Sequence, residues 1–250
     1  MEMIYEGKQD GRFLAVRDGL DLIYIRDILQ QPALVFSDLD DTLAPSSAKR
    51  IVYKSLVDRL RTQPKELLSW LPHGAIAKFL SFYESEAWQR YVKIFLDESP
   101  QGKENLKVAI DLIKTDLMLF PGVETLYDQM HFNSRKVLVT RNVLDIATLY
   151  MHRLRFHHLR ASSFNKKNKF FEMLDQYEKY HSPYINKPLV IVHGDSMEDE
   201  EIKYCADHEK QRGRVREVCF IQVAKSLRKV SGLADIVTSR DQRLLAANLI

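Results

Sequence analysis

The sequence predicts an α/β protein with a Rossmann-like, doubly wound parallel sheet and an inserted all-helical domain. Five short apolar runs have the length of buried strands, and segments of helical length separate most of them. Strands that alternate with helices pair in parallel through crossover connections, which is typical of the α/β class. A weaker strand is expected near residues 159–162, and a helix or hairpin within residues 1–31. The five runs span residues 33–36, 136–140, 189–193, 218–223 and 234–238.

The segment between the first two of these five strands has no strand pattern. From residue 46 to 119, apolar side chains recur at helical spacing, and three prolines divide the segment into three or four helices. We therefore predict an α/β core domain formed by residues 1–45 and 120–250. The predicted helical domain, residues 46–119, is interposed at the end of the first strand, where it can lean over a site as a lid.

Composition favours a cytoplasmic protein without a membrane span. Apolar residues make up 45% of the 250 residues, yet no run approaches the roughly 18 apolar residues that a span requires. The first residues lack the basic and then apolar pattern of a signal peptide. Cys205 and Cys219 are far from C-x-x-C spacing, which favours two free thiols in a reducing compartment. The net charge of +3 neither requires nor excludes an acidic partner.

Carboxylates follow two of the predicted strands. Asp38 and Asp40 are two residues apart, so an extended backbone points both in the same direction. Like charges that close repel each other, and the site must hold a metal ion or keep one carboxyl protonated. Asp195 and Asp199 follow another strand, and such a cluster can bind Mg²⁺, which prefers oxygen ligands. The alternative for this second cluster is helix capping, since acidic residues favour the first turn of a helix.

Donors suited to phosphate oxygens follow the strand at residues 136–140. Thr140 ends this strand, and Arg141 and Asn142 come next, although a threonine there could equally be a helix cap. Further along, a lysine-rich stretch begins a predicted helix, where cations oppose the helix dipole and need a reason to be present. Neutralising a phosphate is such a reason. Apolar residues three, four and seven positions beyond Lys167 select it as the inward lysine, with Lys166 as the alternative.

Four motifs occur in order along residues 33–45 and 120–240. They are D-x-D-x-T at Asp38, Asp40 and Thr42, a strand-ending Thr140, Lys167 at the head of a helix, and G-D-x-x-x-D from Gly194 to Asp199. This set resembles the haloacid dehalogenase superfamily of phosphatases. Pro121 and Gly122, which open a helix before the second motif, also fit that family. The segment between Ser46 and Leu119 falls where the family inserts its helical C1 cap.

The resemblance implies roles for the first two carboxylates. Asp38 would be the nucleophile that forms an aspartyl-phosphate, which splits hydrolysis into two easier displacements. Asp40 would protonate the leaving oxygen and then take a proton from the attacking water. A halide displacement needs no such acid, so Asp40 favours phosphoryl transfer. The residue between Asp40 and Thr42 is Asp41, where many relatives have glycine, and we expect it to face outward, although it could tune the turn.

The resemblance also implies a cofactor and a phosphate site. Mg²⁺ would be held by the Asp38 side chain, the Asp40 backbone carbonyl and Asp195, with Asp199 binding the ion or orienting its waters. The residues expected to bind the phosphoryl group are Thr140, Arg141 and Lys167.

We therefore predict a Mg²⁺-dependent phosphatase that acts on a small phosphate monoester chosen by the helical insertion. One alternative is a phosphomutase, which would use the same residues and return the phosphoryl group to the substrate. Another is a non-catalytic module that binds a phospholigand or nucleic acid, suggested by the basic and aromatic stretch from Arg141 to Lys169. Most such stretches are solvated faces beside core aromatics, so a nucleic-acid partner is not expected.

Overall fold

The computed structural model describes residues 3–9, 12–45, 103–104, 107, 110–111, 118–142, 144–161, 165–180, 187–227 and 230–248. Eight strands and six helices are formed within these residues. In chain order they are β1 (Met3–Gln9), β2 (Arg12–Arg17), α1 (Leu22–Leu29), β3 (Ala33–Ser37), α2 (Val123–Gln129), β4 (Arg135–Val139), α3 (Leu144–Arg153), β5 (His158–Arg160), α4 (Lys166–Tyr180), β6 (Leu189–Gly194), α5 (Met197–Gln211), β7 (Glu217–Ala224), β8 (Ile236–Ser239) and α6 (Arg243–Ala247).

The eight strands form one sheet in the order β1-β2-β8-β7-β6-β3-β4-β5. The six strands from β8 to β5 are parallel, whereas β1 and β2 form an antiparallel hairpin at the β8 edge. The five predicted strands are present within two residues of their expected bounds, and the weaker strand is present as β5. The hairpin and α1 lie within residues 1–31, where a helix or a hairpin was expected. The predicted α/β fold is therefore confirmed.

Helices cover both faces of the sheet. Along β3, Val35 packs into a core beneath α1, α2, α3 and α6, while Leu34 and Phe36 pack into a second core beneath α4 and α5. This alternation follows from the pleat of a strand, and burial on both faces explains why residues 33–36 of β3 are all apolar. Each fully buried side chain of this size contributes about 1.5–3 kcal/mol of hydrophobic stabilisation, so the two cores hold the strand ends in fixed places.

The chain reverses its direction of winding between β3 and β6. From β3 the chain continues through β4 to β5 on one side, and later through β6, β7 and β8 on the other. In open α/β sheets the carboxyl ends of the strands at such a switch point form the ligand crevice. The residues that follow β3 and β6 therefore lie at the expected position for a site.

The loop after β3 is fixed by contacts from distant segments. The Phe120 N–H donates to the Leu43 carbonyl at 2.8 Å, and the Gln242 side-chain amide donates to the Thr42 carbonyl at 2.7 Å. Gly122 has a φ of 88°, and a Cβ there would lie 2.5 Å from the Arg243 backbone nitrogen, so only glycine permits this approach.

The helical domain predicted for residues 46–119 lies almost entirely outside the described residues. The few described positions between 103 and 111 are helical. The residues that flank the segment lie side by side, since Phe120 hydrogen-bonds to Leu43. The boundaries at residues 45 and 120 stay predictions.

Candidate active site

The candidate site begins where β3 ends. The Asp38 N–H donates to the His193 carbonyl at 3.0 Å, which continues the β3–β6 pairing by one residue. Asp38 is buried, and its side chain lies between the ends of two strands. Since the backbone of Asp38 is still held by the sheet, the orientation of its carboxylate is set by the fold.

Three carboxylates converge at this point. Oxygen atoms of Asp38, Asp195 and Asp199 all lie within 4.8 Å of one another. Asp195 also accepts a hydrogen bond of 3.4 Å from the Thr42 hydroxyl. Because the ends of parallel strands meet at one edge of a sheet, two acidic motifs that are far apart in the sequence come together; Thr42 and Asp195, which are in contact, are 153 positions apart.

Asp199 is tied into the first turn of α5 by a capping box. Its Oδ2 accepts hydrogen bonds from the N–H groups of Asp195 and Ser196 and from the Ser196 hydroxyl. Gly194 makes room for this carboxylate, because a Cβ at residue 194 would lie 2.1 Å from Cγ of Asp199. Helix capping was the alternative to metal binding for this acidic motif, and Asp199 does cap the helix while it also borders the cluster.

Lys166 is the lysine that meets these carboxylates. Its Nζ lies 2.9 Å from Oδ1 of Asp38 and 2.8 Å from Oδ1 of Asp199, and the side chain is only 3% exposed. Lys167 is 46% exposed, and its nearest described carboxylate is Glu201 at 4.0 Å. The prediction that Lys167 faces inward was therefore wrong, and the alternative, Lys166, occupies that position.

The reason is the choice of apolar face on α4. The buried residues of this helix are Lys166, Phe170, Met173 and Leu174, which recur at positions i, i+4, i+7 and i+8. Phe171, which made Lys167 look inward, is only half-buried. The prediction took Phe171 rather than Met173 as part of the apolar pattern, and the predicted buried face of α4 was therefore shifted by one residue.

The electrostatics of the cluster favour a cation. Burial raises the pKa of Asp38 well above its usual range; Lys166 lowers it, but not enough to offset burial and the neighbouring carboxylates. Burial and the charge of Asp199 raise the pKa of Asp195 to about 7. The pKa of Lys166 is raised, because Asp199 and Asp38 outweigh the effect of burial. Three carboxylates and one ammonium leave two negative charges when all are ionised, and carboxylate oxygens are the ligands that Mg²⁺ prefers.

The residues after β4 approach the same point from the other side of β3. The Thr140 hydroxyl accepts the Asn142 N–H at 3.1 Å, and the Asn142 side-chain amide donates to both carboxylate oxygens of Asp40, at 3.2 and 3.0 Å. Thr140 and Asn142 are buried. Arg141 forms an ion pair with Glu198, which lies in the first turn of α5. The sequence placed Thr140, Arg141 and Asn142 among the donors, but gave no signal for their contacts with Asp40 and Glu198.

Asp41 adopts the left-handed conformation at the turn after Asp40, with a φ of 63°. Glycine fits that region without strain, whereas an L-residue such as aspartate adopts it at a cost. We expected Asp41 to face outward, but its carboxylate is only partly exposed. Of the side chain, 28% is accessible, and the carboxylate contacts Arg240 and Lys225. These two cations follow β8 and β7, so they tie the turn to the neighbouring strands.

A buried polar chain lies beneath Asp38. The Tyr127 hydroxyl is 2.6 Å from the Ser37 hydroxyl and 3.0 Å from Nδ1 of His193, and the Ser37 hydroxyl is 3.3 Å from the Asp38 carbonyl. Burial lowers the pKa of His193 to about 4, so the imidazole is neutral at pH 7. Sequence reasoning missed the contact between Tyr127 and His193, which are 66 positions apart.

No model of a known protein family matches the sequence, and no curated protein matches it. Solved structures do share its architecture. A phosphoserine phosphatase in its apo form aligns over 85% of this chain and 95% of its own, with a TM-score of 0.51 and 15% identity. A substrate-bound phosphoserine phosphatase complex aligns over 87% and 98%, with a TM-score of 0.53 and 15% identity.

A protein of unknown function from Bordetella pertussis Tohama I aligns over 79% of this chain and 92% of its own, with a TM-score of 0.53 and 13% identity. This chain has a haloacid dehalogenase-like fold. The fold implied by the sequence motifs is thus confirmed. Within the part of the chain that is described, no helix is long and apolar enough to cross a membrane.

Proposed function

We propose that the protein is a Mg²⁺-dependent phosphatase that hydrolyses a small phosphate monoester through an aspartyl-phosphate intermediate. The observation that carries this proposal is the convergence of Asp38, Asp195 and Asp199 within 4.8 Å of one another, with Lys166 against two of them. A nucleophile, a cation site and a fixed positive charge at one strand end are the parts that phosphoryl transfer requires.

Asp38 is the proposed nucleophile. A carboxylate oxygen attacks phosphorus, the bond between phosphorus and the ester oxygen breaks, and the phosphoryl group is carried on Asp38. Water then attacks phosphorus, and the bond to Asp38 breaks as inorganic phosphate leaves. The hydrogen bond from the Asp38 N–H to His193 and the contact with Lys166 hold the carboxylate in one orientation for both displacements.

Asp40 is the proposed general acid and base. It gives a proton to the leaving oxygen in the first displacement and takes one from water in the second. The Asn142 amide contacts both oxygens of Asp40, which fixes the carboxyl group on the β4 side of the nucleophile. Asn142 is therefore a proposed positioning residue, itself held by the Thr140 hydroxyl.

The phosphoryl oxygens would be bound by Thr140, Arg141 and Lys166. The Thr140 oxygen accepts from Asn142, which leaves its own proton to donate to a phosphoryl oxygen. Lys166 and Arg141 supply positive charge where negative charge spreads over those oxygens in the transition state. Lys166 takes the role that the sequence had assigned to Lys167.

The carboxylates of Asp38 and Asp195 would hold Mg²⁺, with the Asp40 backbone carbonyl as a further proposed ligand. The ion supplies charge neutralisation for the phosphoryl oxygens when it is bound. Asp199 would act mainly by position, since its Oδ2 already accepts three hydrogen bonds and its Oδ1 accepts one from Lys166. The raised pKa values of Asp38 and Asp195 come first from burial and then from neighbouring carboxylates, and a bound cation would favour the ionised forms of both groups.

Substrate choice is assigned to the predicted helical insertion at residues 46–119, which lies outside the described residues. Phosphoserine is a first candidate, because two solved structures with this fold are phosphoserine phosphatases.

We also propose a cytoplasmic location, which the two free cysteines, one of them buried, support. Fractionation of cells that express the tagged full chain tests that location.

The proposal is tested by phosphate release from p-nitrophenyl phosphate, phosphoserine, a sugar phosphate and a nucleoside monophosphate, with and without Mg²⁺. We expect Mg²⁺-dependent release from at least one ester, and Asp38→Asn should lower kcat/KM by about a thousandfold or more. Asp18→Asn, in an exposed turn, is the matched control and should leave the rate unchanged. A wild-type rate in Asp38→Asn would contradict the proposal, and a rearranged phosphate ester without free phosphate would identify a phosphomutase.

A further inference from the structure

The ion pair between Arg141 and Glu198 spans the site. Arg141 lies two residues beyond β4, and Glu198 lies four residues beyond β6. The Arg141 Nη2 contacts Oε1 of Glu198, with 18% and 27% of the two side chains exposed. Neither residue belongs to the acidic cluster, so the cluster does not explain why this half-buried ion pair forms.

The position of the pair follows from the order of the strands. Strand β3 lies between β4 and β6, and Ser37 is in register with Leu138 on one side and His193 on the other. Neighbouring strands are about 4.8 Å apart, so the ends of β4 and β6 are separated by about 10 Å with β3 between them. A contact between the segments that follow β4 and β6 must therefore cross the end of β3, which is where Asp38 lies.

The guanidinium of Arg141 has one N–H group without an acceptor among the described residues. Its Nε is buried, and none of the described residues accepts a hydrogen bond from it. An unpaired buried donor is costly, and a planar guanidinium binds phosphate through two parallel N–H groups. Arg141 thus has the chemistry of a phosphate ligand, while one of its terminal nitrogens is held by a carboxylate.

Charge makes Glu198 a competitor of the substrate. A phosphate dianion that binds Arg141 would lie beside the Glu198 carboxylate, and like charges this close repel each other. The phosphate must therefore displace Glu198 from the guanidinium or share it at a cost in affinity.

We propose that Glu198 is a positioning residue whose ion pair holds the Arg141 guanidinium across the phosphoryl site, an arrangement that we call the strap. The incoming phosphoryl group then replaces Glu198 as the partner of Arg141. This inference rests on the proposed function. Arg141 then passes from Glu198 to the phosphoryl oxygens when substrate binds and returns when phosphate leaves. Glu198 thereby weakens the binding of any ligand that offers Arg141 no better partner, and it speeds the release of product.

Glu198→Gln tests the strap, with inorganic phosphate as the probe. The amide keeps the size of the side chain but removes its charge. We expect the variant to bind phosphate about fivefold more tightly in the presence of Mg²⁺, which is the factor that loss of a partly exposed ion pair allows. With substrate, KM should fall while kcat stays the same or decreases as phosphate leaves more slowly. A general structural defect would not raise affinity.

Two further variants make the result specific. Glu201→Gln removes a carboxylate from the same helix without touching Arg141, and it should leave phosphate affinity unchanged. Arg141→Met should weaken phosphate binding, and the double variant Arg141→Met/Glu198→Gln should show no gain from loss of Glu198. Glu198→Asp, which keeps the charge on a shorter side chain, should bind phosphate less tightly than Glu198→Gln.

Weaker phosphate binding by Glu198→Gln would overturn the proposal, since it would mean that Glu198 presents Arg141 to the phosphate. Unchanged affinity would overturn it as well. If the wild-type protein neither binds phosphate nor hydrolyses any ester, the proposed function fails first. If it does both and Glu198→Gln gains no affinity, only the strap fails.

Discussion

Lys166→Met tests the role of the buried lysine in holding the acidic cluster together. The Lys166 side chain is 3% exposed, and its Nζ lies 2.9 Å from Asp38 and 2.8 Å from Asp199, so removal of the ammonium group leaves two buried carboxylates without their cation. Breaking such a buried pair costs about 3–5 kcal/mol, out of a total stability of about 5–15 kcal/mol. Burial already raises the pKa of Asp38, so protonation of that carboxyl limits the loss. We therefore expect the lower value, about 3 kcal/mol at pH 7.

Urea denaturation followed by circular dichroism, without added divalent metal, measures this loss. Lys167→Met is the matched control, because Lys167 is 46% exposed and 4.0 Å from Glu201, and its replacement should change the free energy of unfolding by no more than about 0.5 kcal/mol. Mg²⁺ should restore part of the stability of Lys166→Met, since it adds positive charge to the same carboxylates. Equal losses in the two variants, or loss of phosphate release in Lys167→Met alone, would refute the assignment.

Two further variants probe the surroundings of the cluster. Gly194→Ala places a methyl group 2.1 Å from Cγ of Asp199 and should lower the midpoint of urea denaturation and the Mg²⁺ affinity, whereas Gly232→Ala, with nothing within 4 Å, should do neither. Because burial lowers the pKa of His193 from 6.5 to about 4, the unfolded chain takes up this proton first on acidification, and the contribution of His193 to stability falls by up to about 3 kcal/mol as the pH decreases from about 6.5 to 4. The difference in unfolding free energy between the wild-type protein and His193→Gln should therefore shrink across that range, and a constant difference would show that the imidazole is not buried as a neutral group.

The strands were predictable because burial on both faces leaves a simple trace in the sequence. Residues 33–37 are buried without exception, and the first four of them form a continuous apolar run. The same logic located Asp38 and Asp195, since polar residues that directly follow buried strands must meet at one edge of a parallel sheet. The acidic cluster was therefore deduced from two local patterns and one rule of topology.

The helical face of α4 was predicted less well, because a helix offers several overlapping apolar patterns. Phe170 and Leu174 fit a face that contains Lys166 and also one that contains Lys167. Only the burial of Met173 decides between them, and that depends on packing against the sheet. A one-residue error in such a face rotates it by about 100°.

Contacts between distant segments left no signal in the sequence. Tyr127 meets His193 across 66 positions, and Asn142 meets Asp40 across 102. Neither pairing follows from periodicity or spacing, because each depends on how helices and loops are placed on the finished sheet. The substrate specificity assigned to residues 46–119 could not be predicted from the sequence for the same reason: it depends on how side chains meet in three dimensions.

Mg²⁺ binding by the wild-type protein and by Asp195→Asn, measured by titration calorimetry before any substrate is added, tests the central claim most directly. The account predicts one Mg²⁺ per chain in the wild-type protein, with phosphate release that rises over the same range of Mg²⁺ concentration. Asp195→Asn should bind Mg²⁺ about tenfold more weakly or worse and lose activity in step. Equal affinity in the two proteins, or phosphate release that persists after Mg²⁺ is removed by a chelator, would contradict it.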